Sequence, residues 1–119
     1  MPKKEISYEI RNKEEKVSSK TIGILQDNIL KYKEKDNTIV HYHYNENILE
    51  RENDDIKLKY TFKVKEKTIG IINIKDLKKD LKVEIITKRI NKTNNLIEIH
   101  YQIEDNDYYY KLEVIEWVY

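Results

Sequence analysis

Two histidines in one short segment are the clearest candidates for metal chemistry. His41 and His43 form an H-x-H pattern within Thr38–Tyr44. On a β-strand this spacing points both imidazoles to one face, where they could bind zinc or another borderline metal. His100 would have to join them from another strand, and no H-E-x-x-H pattern or regularly spaced carboxylate supplies a further ligand. The pattern favours an ordinary outward strand face, and we predict no metal site.

The tyrosines suggest a second kind of site, a pocket for a small ligand. A tyrosine ring combines flat apolar faces with a polar hydroxyl, and ligand cavities often use this combination. The alternative is that tyrosine only fills a β core and its rim, because the chain is rich in Ile, Lys, Asn and Tyr, the residues of A/T-rich codons. The candidate ligand-binding residues are Tyr42, Tyr44, Tyr60, Tyr101 and Tyr110, with Tyr108 on the same parity as Tyr110.

A run of lysines forms a third candidate site. Basic residues near exposed aromatic rings can follow a phosphate backbone while bases stack. However, the formal net charge is only +1, whereas a nucleic-acid-binding domain usually has a clear basic excess. We therefore expect a solvated strand face and no nucleic-acid partner. The lysines concerned are Lys57, Lys59, Lys63, Lys65 and Lys67, with Lys31, Lys33 and Lys35 nearby in sequence.

Residues for catalysis are scarce. The chain has no cysteine and only two glycines, so thiol nucleophiles and phosphate-binding glycine loops are excluded. Its serines, Ser7, Ser18 and Ser19, lack the nucleophile-elbow pattern. No spacing singles out a pair of carboxylates for acid–base chemistry. We predict neither an enzyme nor a cofactor.

The elements that must position these residues are β-strands. In Asp55–Lys67, the apolar residues from Ile56 to Val64 occupy the even-numbered positions, and lysines occupy most of the odd-numbered positions. This alternation predicts a half-buried strand with an apolar inner and a cationic outer face. A helical turn is plausible only at Asp76–Asp80, where Leu77 and Leu81 are four residues apart.

Similar alternation predicts strands along the rest of the chain, separated by polar turns at spacings of roughly 8–12 residues. Gly23 and Gly70 mark sites of a bulge or close backbone approach. Trp117 breaks the parity of the last strand, which suggests a bulge or an outward residue there. The other predicted strands are Lys4–Asn12, Val17–Leu25, Ile29–Lys35, Thr38–Tyr44, Ile48–Glu52, Thr68–Ile74, Leu81–Ile90, Leu96–Glu104 and Tyr108–Tyr119.

This pattern predicts an all-β fold, with residues 1–119 in one domain. We expect a single antiparallel calycin- or lipocalin-like barrel of about eight to ten strands, because closure removes sticky sheet edges. The start of the chain lacks the apolar region of a signal peptide, and no run approaches the roughly 18 apolar residues of a membrane span. We therefore expect a cytoplasmic protein without a membrane partner.

The order of elements resembles the YwiB-like proteins, a family of small bacterial calycin-like β-barrels without an assigned activity. DNILKYKEKDNTIVHYHY looks like the family's third and fourth strands, and DDIKLKYTFKVKEK like the following pair. Thr68-Ile69-Gly70 resembles a Gly-containing strand start, and LIEIHYQIEDNDYYYKLEVIEW the closing hairpin. Asn- and Asp-rich turns replace the family's Gly-rich ones, and its Thr/Glu-rich segment is not recognisable at Tyr44–Asn53. The resemblance spans nearly the whole chain, implies a fold, and supplies no catalytic residues.

We predict a non-catalytic binding protein that holds a small apolar or aromatic ligand, or a protein partner, in a tyrosine-rich barrel mouth. The alternative is an interaction module that uses an outer face. Such a module would bind nucleic acid through the lysines or form an oligomer through a strand edge. Either a monomer or a homodimer agrees with the sequence.

Overall fold

The computed structural model describes residues 3–118, with side chains described for residues 3–115. The described residues form ten β-strands and no helix. The strands are β1 (Lys3–Asn12), β2 (Lys16–Gln26), β3 (Ile29–Lys33), β4 (Ile39–His43), β5 (Ile48–Glu52), β6 (Ile56–Thr61), β7 (Lys67–Ile74), β8 (Lys79–Lys92), β9 (Leu96–Ile103) and β10 (Asn106–Val118).

The sheet closes into a barrel. Each strand pairs antiparallel with the next strand in the chain, and β1 pairs with β10. The turns after β1, β3, β5, β7 and β9 therefore lie at one end, which we call the mouth end. The turns after the even-numbered strands lie at the far end. The predicted antiparallel barrel is confirmed, with ten strands.

Strand alternation directs the apolar side chains into the barrel. Burying each large one there contributes roughly 1.5–3 kcal/mol to stability. Aromatic rings dominate the filling: Tyr8 stacks on Tyr32 with centroids 5.4 Å apart, and Phe62 packs 4.9 Å from Tyr101. The buried hydrophobic residues are Ile6, Tyr8, Leu30, Tyr32, Val40, Tyr42, Leu49, Leu58, Tyr60, Phe62, Ile85, Ile97, Ile99, Tyr101, Tyr110 and Leu112.

Asn, Asp and Glu make the tight turns in this glycine-poor chain. Asp27 and Asn28 both have positive φ, at 55° and 63°, as a two-residue hairpin of type I′ requires. Glu104 and Asp105 do the same between β9 and β10, at 50° and 65°. The strand predicted as Leu96–Glu104 ends one residue earlier, at Ile103, because Glu104 belongs to the turn.

Two predicted elements differ in the structure. The helical turn at Asp76–Asp80 is wrong: Lys78 N donates to Lys75 O at 3.2 Å in a strand-to-strand turn, and β8 already begins at Lys79. Leu77 is 67% exposed, so no packing partner stabilises a helix there. The strand predicted from Asp55 ends at Thr61, and Val64 is exposed instead of facing the core.

Two bulges break the alternation of the long strands. Glu5 pairs with Glu116 whereas Ile6 pairs with Val114, so β10 has one extra residue. This agrees with the parity break expected near Trp117, whose side chain lies outside the described residues. In β8, Thr87 pairs with Tyr101 whereas Arg89 pairs with His100. The extra residue there is Lys88, at a place where the alternation of the sequence indicates no bulge.

Candidate ligand cavity

A cavity of about 180 Å³ lies inside the barrel near the mouth end. Its walls come from β1, β5, β6, β9 and β10, whose inward side chains leave this space unfilled. Asn12 and Glu15 lie at its edge, beside the turn between β1 and β2. The lining residues are Ile10, Asn12, Glu15, Leu49, Arg51, Leu58, Tyr60, Tyr101, Ile103, Tyr108 and Tyr110.

A buried ion pair joins the cavity wall to the turn after β3, since Arg51 lines the cavity and its partner Glu34 does not. Arg51 Nη2 donates to Glu34 Oε1 at 2.5 Å, and Arg51 Nε donates to Glu34 Oε2 at 3.2 Å. Only 5% of the Glu34 side chain is exposed, against 26% of Arg51. Burial acts to lower the pKa of Arg51, but the hydrogen bond and charge of Glu34 outweigh it and raise that pKa. The guanidinium is therefore a permanent cation with its countercharge in place.

Tyrosine hydroxyls supply further polar groups. The hydroxyl of Tyr110, which lines the cavity, is hydrogen-bonded at 2.7 Å to that of Tyr32, which does not. Those of Tyr60 and Tyr101 have no hydrogen-bond partner among the residues whose side chains are described. Burial raises the pKa of both, so they stay protonated at neutral pH.

Gly70 on β7 helps to position Tyr60. A Cβ atom at residue 70 would lie 2.6 Å from Tyr60 Cδ1 and 2.9 Å from Ile85 Cδ1. The missing side chain thus allows the Tyr60 ring to pack directly against the β7 backbone, as expected for a close approach. β7 runs without a bulge at this point.

The five candidate tyrosines divide into two groups. Tyr60, Tyr101 and Tyr110 line the cavity, and Tyr108 joins them. Tyr42 lies deeper, with its ring centroid 6.0 Å from that of Tyr110 and its hydroxyl 3.1 Å from Asn47 Oδ1 in the far-end turn.

Tyr44 belongs with Tyr42 rather than with the cavity. The two rings form an edge-to-face pair with centroids 5.4 Å apart. Burial raises the pKa of Tyr44 to about 12. Neither residue belongs to the cavity lining.

The histidines lie outside the barrel. His41 and His43 share the outer face of β4, where His43 Nε2 lies 2.5 Å from Glu50 Oε1. Burial and then the charge of Lys31 lower the pKa of His41. His100 is on β9, five strands from β4 in either direction around the barrel. Among the residues whose side chains are described, no three His, Asp or Glu form a group that could hold a metal.

The lysine run does not form one continuous strand face. Lys57 and Lys59 point outward from β6, but Lys63 and Lys65 lie beyond its end, where Lys65 has a φ of 69°. Lys59 lies beside Glu50 across the strand pair, and Lys57 beside Glu52. Acidic neighbours thus interrupt the positive charge of this surface.

The ion pair was missed by the sequence analysis, although a signal for it exists. Arg51 is two residues after the buried Leu49 and therefore faces the same side of β5. Glu34 follows the buried Leu30 and Tyr32 at the same two-residue spacing. A charged residue on an apolar parity indicates an inward charge that needs a partner. Alternation alone cannot show that β3 and β5 bring these two residues together.

The fold is similar to that of the ywiB protein from Bacillus subtilis, whose crystal structure superposes with a TM-score of 0.61. The match covers 95% of this chain and 93% of that chain at 16% sequence identity. Likeness at this level shows a shared fold and transfers no residue roles. No protein-family model and no curated protein matches the sequence. The predicted resemblance is thus confirmed for the fold and not shown for family membership.

Among the described residues there is no helix that is long and apolar enough to cross a membrane.

Proposed function

We propose that the protein is a non-catalytic binding protein that holds a small apolar or aromatic ligand in the mouth-end cavity. The observation that carries this proposal is a cavity that combines apolar walls with a few convergent polar groups. Small-molecule sites commonly have this composition. Leu49, Leu58 and Ile103 supply the apolar wall, and Tyr60 and Tyr101 add ring faces to it.

The volume of the cavity limits the size of the ligand. It is about 180 Å³, below the roughly 300–1,000 Å³ of drug-sized sites. An apolar cavity of about 150 Å³ is enough to bind benzene. The proposed ligand is therefore about one ring in size.

Ligand-detected NMR with a set of one-ring compounds tests this proposal. We expect saturable binding to the wild-type protein and its loss in Ile103→Trp, because the indole would occupy the cavity. The matched control is Ile69→Trp, the same change at a residue that is 54% exposed on the outer surface. Circular dichroism would confirm that both variants fold. The proposal fails if no one-ring compound binds, or if folded Ile103→Trp binds as well as the wild type.

One strand edge supports a second candidate function, self-association. β2 pairs with β3 only through Ile24, Leu25 and Gln26. Its first part, from Lys16 to Gly23, pairs with β1 on one side and with no strand of the described chain on the other. Unpaired edges can add a strand from a second copy. Light scattering at increasing protein concentration would show a dimer, whereas a monomer at all concentrations would exclude this function.

A further inference from the structure

Several polar groups that line the cavity have unused hydrogen-bond donor capacity, and of these the guanidinium can only donate whereas the phenols can also accept. Arg51 gives its Nε and one Nη2 bond to Glu34, and Nη1 has no partner among the residues whose side chains are described. The hydroxyls of Tyr60 and Tyr101 are likewise without a partner there. These groups are close enough to influence one another, since the titration of Tyr101 is affected by Tyr60, Arg51 and Tyr108.

Unused donors in such a cavity favour a ligand that accepts hydrogen bonds. A purely apolar ligand would remove water from these donors and replace none of the lost hydrogen bonds, which weakens its binding. A carbonyl or ether oxygen can accept bonds from the guanidinium and from a phenol. The raised pKa values of the two tyrosines mean that the donor protons are present at neutral pH.

The charge of the site disfavours an anion as that acceptor. Glu34 already neutralises Arg51 through two hydrogen bonds and is itself almost fully buried. A ligand carboxylate would therefore be an additional negative charge next to Glu34, and like charges in a poorly solvated site repel strongly. Glu15 at the cavity edge adds a second carboxylate on the path of entry.

We propose that the ligand is an uncharged one-ring molecule with a carbonyl-type acceptor, bound by Arg51 Nη1 and the hydroxyls of Tyr60 and Tyr101. This inference rests on the proposed function and specifies its ligand class. In this proposal, Glu34 is the residue that excludes anionic ligands. Replacing Glu34 by a neutral residue should then shift the preference of the site toward a carboxylate.

Benzamide, benzoate and toluene make a matched set of probes for this ligand class. They share one ring and differ in the acceptor and its charge. Binding would be measured by NMR titration at neutral pH with the wild type, Glu34→Gln and Glu50→Gln. Glu50 is the control because its partner His43 is on the outer face of the barrel.

We expect the wild type and Glu50→Gln to bind benzamide at least tenfold more tightly than benzoate and toluene. In Glu34→Gln we expect the ratio of benzoate to benzamide affinity to rise at least tenfold. Preference of the wild type for benzoate overturns the inference and leaves the proposed function intact. Equal binding of toluene and benzamide would also overturn the inference alone. An unchanged ratio of benzoate to benzamide affinity in folded Glu34→Gln would do the same. If the wild type binds none of the three, the inference fails, and the proposed function fails with it only when the wider set of one-ring compounds also shows no binding.

Discussion

Separate replacement of Glu34 and Arg51 should destabilise the protein unequally. Arg51→Met leaves the Glu34 carboxylate unpaired at a site where only 5% of its side chain is exposed. Removal of one partner of a buried ion pair costs about 3–5 kcal/mol, and the neighbouring cavity lets water approach, so we expect about 3 kcal/mol. Glu34→Gln leaves a guanidinium that is 26% exposed and can turn toward that water, so we expect about 1 kcal/mol.

The double variant separates the ion pair from the packing of the two side chains. Arg51→Met combined with Glu34→Gln removes both charges and leaves no unpaired buried ion. Replacing a whole buried pair by uncharged groups is often close to neutral. We therefore expect the double variant to lose less than about 2 kcal/mol, whereas the single effects add up to about 4 kcal/mol.

Urea unfolding at neutral pH measures all three variants. With a slope of about 1.5 kcal/mol/M, a loss of 3 kcal/mol lowers the midpoint by about 2 M urea. Glu50→Gln on the outer face is the control and should shift it by much less. The reasoning is refuted if Glu34→Gln costs as much as Arg51→Met, or if the two single effects simply add.

Three further predictions concern the barrel core. Gly70→Ala should cost about 1–3 kcal/mol in urea unfolding, since its Cβ would overlap Tyr60 and Ile85, and an unchanged midpoint would contradict that close approach. Thr87→Val should stabilise by about 1 kcal/mol, because Thr87 Oγ1 is buried without a partner among the described side chains, and a loss of stability would contradict this. Burial raises the pKa of Tyr32, so the folded state holds that proton more tightly than the unfolded state, and stability should fall as pH rises above the usual tyrosine value of about 10. Tyrosinate absorbance should therefore appear together with loss of the β-sheet circular dichroism, and ionisation of all tyrosines in a folded barrel would count against it.

Strand positions were largely predictable because alternation is a local property of the sequence. Leu96–Glu104, for example, corresponds to β9 within one residue. The helical turn at Asp76–Asp80 failed because a four-residue leucine spacing also occurs when Leu77 lies in a turn and Leu81 in a strand. Nothing local distinguishes these two cases.

The cavity was less predictable than the strands. The parity of the tyrosines indicates that they point inward, but the empty volume depends on which strands face each other and how their side chains meet across the barrel. Tyr42 and Tyr60 have the same sequence signature, yet only Tyr60 lines the cavity. The bulge at Lys88 also comes from the pairing of β8 with β9, which a single strand does not reveal.

A two-dimensional amide NMR titration with benzamide tests the central claim most directly, because it reports both binding and its location. We predict saturable shifts at the amides of Tyr60, Tyr101 and Tyr108, with little change at His41 and His43 on the outer face. No saturable shift, or shifts confined to the outer face, would contradict the claim that the mouth-end cavity binds an uncharged one-ring ligand with a carbonyl acceptor.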